Sequence, residues 1–168
     1  MNPMREIRIE KVTANMGVGE GGEKLQNCSS LLSKISGKKA VRTVARVRNP
    51  VFKIKKGDPI GTKVTLRKKE AEEFLKKALD AVDKKISSGA FDGYGNFSFG
   101  VEEYIDFPGV KYDPKVGIVG FDVCVTLMRG GWRVAKRRRG RGKIGSRHRI
   151  TREEGMEFAK KVLEVEIV

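Results

Sequence analysis

Apolar residues recur along this chain at two spacings, and the changes between them mark its elements. Ile7 and Ile9 share one phase, and Val12, Ala14 and Met16 share the other, which predicts a strand over 7–16 with a bulge or twist near Glu10. A glycine-rich turn, Gly17 to Gly22, follows. Leu25, Cys28, Leu31, Leu32 and Ile35 then lie at helical spacing, and Gly37 supplies the stop. Short strands are expected over 40–47 and 63–66, with Gly57, Pro59 and Gly61 marking turns between them. Glu70 to Ile86 predicts a second helix. Acidic residues open it, Phe74, Leu75, Ala78, Val82 and Ile86 form its apolar side, and Lys84 and Lys85 close it.

Beyond Ser87 a period of two returns. Phe97, Phe99 and Val101 alternate with small or polar residues, and Phe121, Val123, Val125 and Leu127 alternate with Asp122, Cys124 and Thr126, so both stretches predict half-buried strands. Thr151 followed by Glu154 makes a capping box, and Met156, Phe158, Ala159, Val162 and Leu163 give the apolar side of a last helix. Strands joined by short turns, with helices at intervals, predict an α+β fold: a mixed, largely antiparallel sheet covered by helices on one face. The 168 residues fit a single domain, 1–168, within which 43–59 is a basic loop and 129–149 a basic extension.

Charge turns this outline from a plain α+β domain into one that meets a polyanion. Lys34 to Lys56 carries nine Lys/Arg and Arg129 to Arg149 carries ten, with no Asp or Glu in either stretch. Those nineteen leave 17 of the 36 Lys/Arg against all 21 Asp/Glu, so the remainder is slightly acidic and the formal net charge of +15 is concentrated. Single-sign blocks repel themselves unless a polyanion lies against them, and nucleic acid is the leading candidate. In 129–149 Arg outnumbers Lys by eight to two, and guanidinium groups favour bidentate phosphate contact and stacking on bases. A membrane-binding tract would add an apolar face at helical spacing, whereas Trp132, Val134 and Ile144 are almost its only apolar anchors. No run approaches the roughly 18 to 20 apolar residues of a membrane helix, and MNPMREIRIE lacks the apolar core of a secretion signal, so a soluble intracellular protein is expected.

Catalytic chemistry finds little support. Gly17-Val18-Gly19-Glu20-Gly21-Gly22 satisfies GxGxxG between a strand and a helix, but Glu20 and Glu23 put negative charge where a pyrophosphate would lie and no parallel βαβ units follow. A turn whose glycines allow positive φ or close approach is the expected reading. His148, the one histidine, sits among cations without a carboxylate to orient it, so a structural or RNA-stacking role is expected. Cys28 and Cys124 form no CxxC pair and are expected to be plain buried thiols, with neither disulfide nor metal site.

Four ordered blocks give a sharper reading: ANMGVGE at 14–20, FKIKKGDPIGTKVTLR at 52–67, FDGYGNFSFGVEEYIDFPGVKYD at 91–113 and TREEGMEFAKKVL at 151–163. Over nearly its whole length the chain resembles the large-subunit ribosomal protein L-five family, whose members hold 5S ribosomal RNA in the central protuberance. In bacterial members the strand ending at Met128 leads almost directly into the last helix, so the intervening 129–149 segment resembles the archaeal and eukaryotic form. The resemblance implies a cytoplasmic structural constituent of the large subunit, without catalytic activity, cofactor or metal. It implies as partners 5S rRNA, large-subunit rRNA, peptidyl-site tRNA and neighbouring ribosomal proteins, one of them in the small-subunit head. A free-standing RNA chaperone or assembly factor is the alternative.

Residue by residue, the resemblance implies that Asn15, Lys38, Thr65 and Arg67 meet 5S rRNA. It implies that Arg46, Arg48, Lys53, Lys55 and Lys56 form a loop gripping tRNA phosphates. Phe52 is expected to pack on the base of that loop, with packing on RNA as the alternative. The basic extension is left with other RNA or inter-subunit contacts, through Arg133, Lys136, Arg137, Arg138, Arg139, Arg141, Lys143, Arg147, His148 and Arg149.

Overall fold

A computed structural model describes residues 2–168 of the chain. Its strands are β1 (Ile7–Gly17), β2 (Val41–Val44), β3 (Pro59–Leu66), β4 (Lys85–Ile86), β5 (Phe97–Val101), β6 (Phe121–Arg129) and β7 (Glu166–Ile167). The helices are α1 (Glu23–Ser36), α2 (Lys69–Asp80), the single turn α3 (Arg133–Lys136) and α4 (Arg152–Leu163). Five strands make one sheet in the order β2-β3-β1-β6-β5, with every neighbouring pair antiparallel, while β4 and β7 pair in parallel apart from it. The α+β class and the largely antiparallel sheet are as expected.

Alternation along the strands decides which face is covered. Val12, Ala14 and Met16 of β1, Val64 and Leu66 of β3, and Val123 and Val125 of β6 all point to one side, where Cys28, Leu31 and Leu32 of α1 and Phe74, Leu75, Ala78 and Leu79 of α2 bury against them. Burying such side chains stabilises by roughly 1.5 to 3 kcal/mol each, so this face alone carries much of the fold. Phe74, Phe107 and Phe121 add a tilted aromatic cluster, with Phe74 and Phe107 centred 5.3 Å apart. The expected bulge is present: Ile9 faces Leu127 and Lys11 faces Thr126, so Glu10 is the inserted residue. Gly37 ends α1 at φ +67, as its position implied.

Several boundaries differ from the periodic reading. The second helix stops at Asp80 rather than Ile86: Asp83 and Lys84 take positive φ, and Lys84 N–H donates to the Leu79 carbonyl at 2.9 Å, closing the helix end. β-branched Val82 and Ile86 and the Asp between them disfavour helix, and Ile86 instead reaches the core from β4, paired beside Ile167. The second strand is shorter than 40–47, because the chain leaves the sheet at Ala45. The third is longer than 63–66 and begins at Pro59, where the missing N–H is tolerated in the first residue of a strand.

In α4 the capping box of Thr151 and Glu154 forms as expected. Val162, however, is exposed, and Gly155 occupies the buried position instead. A Cβ on Gly155 would sit 2.5 Å from the Gly95 carbonyl oxygen, so glycine is what lets the helix rest directly on the turn before β5. The two cysteines also part company. Cys28 is buried, whereas Cys124 is exposed on the other sheet face, because Val123 and Val125 hold the core-facing phase of β6.

Candidate nucleic-acid interface

The sheet face opposite the helices is built of the alternate residues, and antiparallel register sets them in rows. One row runs Val41, Lys63, Asn15, Asp122, Gly100; the next runs Thr65, Thr13, Cys124, Ser98. Lys63, Thr65, Asp122, Cys124 and Ser98 are exposed, and Thr13 and Asn15 are half-buried. Asn15 and Thr65, singled out in the sequence, therefore lie on one face in adjacent rows. Among the described residues neither side chain makes a hydrogen bond within the protein, which leaves the amide and hydroxyl free to read sugar or base edges. Thr13, Lys63, Ser98 and Asp122 share this face and were not singled out. The complementary phase of the apolar alternation was the signal that could have found them.

Lys38 and Arg67 stand differently. Arg67, one residue beyond β3, donates from Nη1 to the Glu10 carbonyl at 3.4 Å and lies 3.7 Å from Glu10 Oε1. Lys38 pairs with Glu70 in the first turn of α2, with Nζ 2.5 Å from Oε2. Each cation is exposed enough to meet a phosphate but is already oriented by a carboxylate of the protein.

Between β2 and β3 the chain folds into a narrow hairpin-like loop. Ala45 and Gly57 bond across its base, with Ala45 N–H donating to the Asp58 carbonyl and Gly57 N–H to the Ala45 carbonyl, each at 2.9 Å. Higher up, Asn49 and Ile54 exchange both backbone hydrogen bonds, and Lys53 closes the tip at φ +54. Arg46, Arg48, Lys53, Lys55 and Lys56 are all exposed, and none of the five enters an ion pair among the described residues. Of the two placements expected for Phe52, the favoured one, on the base of the loop, is not observed. Phe52 is 70% exposed near the tip, next to Val51 at 84%, because the short Asn49–Ile54 bridge leaves no interior for a ring to enter.

The basic extension is ordered by polar closures rather than by a core of its own. At its root Arg129 is 7% exposed. Its Nε donates to the Arg5 carbonyl and its Nη1 to the Arg149 carbonyl, both at 3.1 Å, and its Nη2 to Glu154 Oε1 at 2.7 Å. One of the ten clustered cations is thus a structural clamp. His148 is part of the same closure, with Nε2 2.8 Å from the Gly130 carbonyl, to which it donates in this arrangement. Lys136 pairs with Glu10 and Arg137 bonds the Gly140 carbonyl, while Arg133, Arg138, Arg139, Arg141, Lys143, Arg147 and Arg149 are exposed.

The glycine turn after β1 is a turn. Gly19 and Gly22 take φ of +78 and +101, and the N–H groups of Val18 and Gly19 both donate to the Ile60 carbonyl, at 3.0 and 2.9 Å, so neither is left for a phosphate. Among the described residues no group of three or more His, Cys, Asp or Glu is placed to hold a metal ion, and no helix is long and apolar enough to cross a membrane.

Comparison with known proteins identifies the family. Residues 2–55 match the family described as "Ribosomal protein L5", and residues 59–158 match the model of that ribosomal family's C-terminus. Proteins named "Large ribosomal subunit protein uL5" align end to end. That of Sulfurisphaera tokodaii is 53% identical, covering 100% of this chain and 96% of its own. The Methanococcoides burtonii protein is 48% identical, covering 99% and 98%, and the Methanoregula boonei protein 46%, covering 98% and 99%. These archaeal relatives align over the extension as well as the sheet, and with the two family matches they show that the chain belongs to the ribosomal protein L5 family.

Proposed function

We propose that this protein is a structural constituent of the large ribosomal subunit that holds 5S rRNA on the open face of its sheet. The observation that carries this reading is the placement of Asn15 and Thr65, without hydrogen-bond partners among the described residues, in adjoining rows of the open sheet face, with Asn15 between Lys63 and Asp122. Uncharged donors and acceptors at such a strip read sugar and base edges, and surrounding cations fix register through phosphates. Lys38 and Arg67, oriented by Glu70 and Glu10, serve as the phosphate grip at the β3 exit. The family and the names of its relatives make this a cytoplasmic scaffold of the ribosome and not an enzyme.

The loop between β2 and β3 has the chemistry of a second contact, to peptidyl-site tRNA. Every tRNA must be accepted there, and five exposed, unpaired cations on a pinned hairpin suit a grip on phosphates that ignores sequence. The exposed arginines of the extension serve contacts to large-subunit rRNA and to neighbouring ribosomal proteins, including one in the small-subunit head. The whole chain then acts as one unit, with 43–59 and 129–149 as its two basic arms.

Deleting Arg46 to Lys56 with a short glycine bridge tests the division of labour. The loop bonds mainly to itself, and Ala45 and Asp58 already lie side by side, so the sheet is expected to survive. Binding of isolated 5S rRNA is expected to stay near the intact level while tRNA retention on assembled ribosomes falls. Loss of 5S binding in a folded deletion variant would assign the loop to the other RNA.

A further inference from the structure

Where the basic extension folds back on the β1–β6 ladder it walls a half-open cavity of about 430 Å³. That is within the roughly 300–1,000 Å³ of clefts that bind small ligands. The β1 bulge delivers Glu10 to it: the side chain is only 9% exposed, and its Oε2 is buried with no hydrogen-bond partner among the described residues. Oε1 is held by Lys136 Nζ at 2.5 Å, with Arg67 Nη1 3.7 Å away. A buried carboxylate oxygen left unpaired is costly to the fold, so Glu10, as a residue lining the cavity, calls for a donor there. Trp132 and Ile144 of the extension, Leu127 of β6 and Tyr94 give the cavity flat and apolar walls, and Arg141 and Lys143 add cationic ones.

A ligand that fits must bring N–H donors to Glu10, a flat body to Trp132 and Tyr94, and negative charge to Arg141 and Lys143. A nucleobase splayed from a single strand has all three, since its phosphates travel with it. Among the bases, guanine alone sets two donors side by side, N1–H and N2–H, opposite a carboxylate. Adenine and cytosine put a ring acceptor next to their amino group, and uracil flanks its one N–H with two carbonyls. An arginine from a protein partner carries the right donors, but Arg141, Lys143 and Lys136 would repel it. We propose that this cavity takes an unstacked guanine of a single-stranded RNA segment, with Glu10 accepting from its Watson–Crick edge. The inference rests on the RNA-binding reading above and adds a site which that reading leaves unassigned.

Trp132 is the only tryptophan in the chain, so its fluorescence reports the cavity directly. The full-length protein is titrated at one salt concentration with the pentanucleotide UUGUU and with versions carrying adenine, inosine or 1-methylguanine at the centre. The guanine strand is expected to quench Trp132 and to bind roughly tenfold more tightly than the adenine and 1-methylguanine strands, with inosine between them. The preference is expected to vanish in Glu10→Gln. The four strands on the unaltered protein carry the test even if that variant folds poorly. Equal affinity for all four strands, or quenching by an arginine-containing peptide instead, would overturn the proposal. Binding of 5S rRNA measured on the same preparation separates the two claims: if it persists without a guanine preference, the cavity assignment alone falls, and if it is lost, the RNA-binding reading falls with it.

Discussion

Replacing Arg129 with methionine is expected to lower the unfolding free energy by about 3 kcal/mol, the low end of what breaking a buried ion pair costs, because Glu154 on the other side of the pair is 41% exposed. The guanidinium joins three parts of the chain, the segment before β1 through Arg5, the end of the extension through Arg149, and the start of α4 through Glu154. Methionine keeps the apolar stem but leaves two carbonyls without donors and the carboxylate without its cation. Burial draws the Glu154 carboxyl upward, but the Thr151 N–H and Arg129 outweigh it and hold the group below the ordinary carboxylate value. A carboxyl lowered in the folded state adds stability that is present above its unfolded titration and is lost as pH falls through the folded value. The gap between the intact protein and Arg129→Met is therefore expected to narrow on acidification, as urea denaturation at about pH 7 and about pH 3 can measure. Equal midpoints at neutral pH would mean that Arg129 is not the clamp its hydrogen bonds describe.

Replacing Asn15 or Thr65 with alanine is expected to weaken 5S rRNA binding by roughly 1–3 kcal/mol with little change in salt slope, since each removes a polar contact and no charge. Changing Arg137, Arg138 and Arg139 together to glutamine is expected to do the reverse. Isolated 5S binding is spared, docking of the protein on the assembled subunit weakens, and the remaining affinity depends less on salt because fewer counterions are released. The contrast follows from placement: the sheet residues sit in two adjoining rows, and the three arginines lie on the extension past α3. Equal loss of 5S affinity in both variants, with the same change of slope, would mean that sheet and extension form one RNA site.

Much of the fold was legible because it follows from one rule, that apolar residues repeat with the period of the element that buries them. β1 with its bulge, α1 with its glycine stop, β5, β6 and the capping box of α4 all obey it. The misses lie where long-range contacts override periodicity. Ile86 keeps helical spacing with α2 but pairs as a strand with Ile167, which is 81 positions away and invisible to local pattern. Gly155 carries no apolar side chain and is buried for that reason, because Gly95 approaches it too closely for a Cβ. In the candidate site Asn15 and Thr65 came from resemblance, and only register put them on one face. Charge counting marked Arg129 as one more cation for RNA. Its burial, and the pairing of Lys136 with Glu10, could be seen only once the extension folded back over the bulge.

Cys124 lies in the row of Thr65 and Thr13, at the centre of the proposed 5S rRNA surface, while Cys28 is buried among the helices. Partial desolvation, and then Asp122, hold the Cys124 thiol above its ordinary value, so maleimide labelling is best followed at mildly alkaline pH. Labelling of the native protein is expected at Cys124 and not at Cys28, and saturation with 5S rRNA is expected to slow it at least roughly tenfold, as burial under bound RNA requires. Labelling of Cys124 at the same rate with and without bound 5S rRNA would contradict the open sheet face as the site.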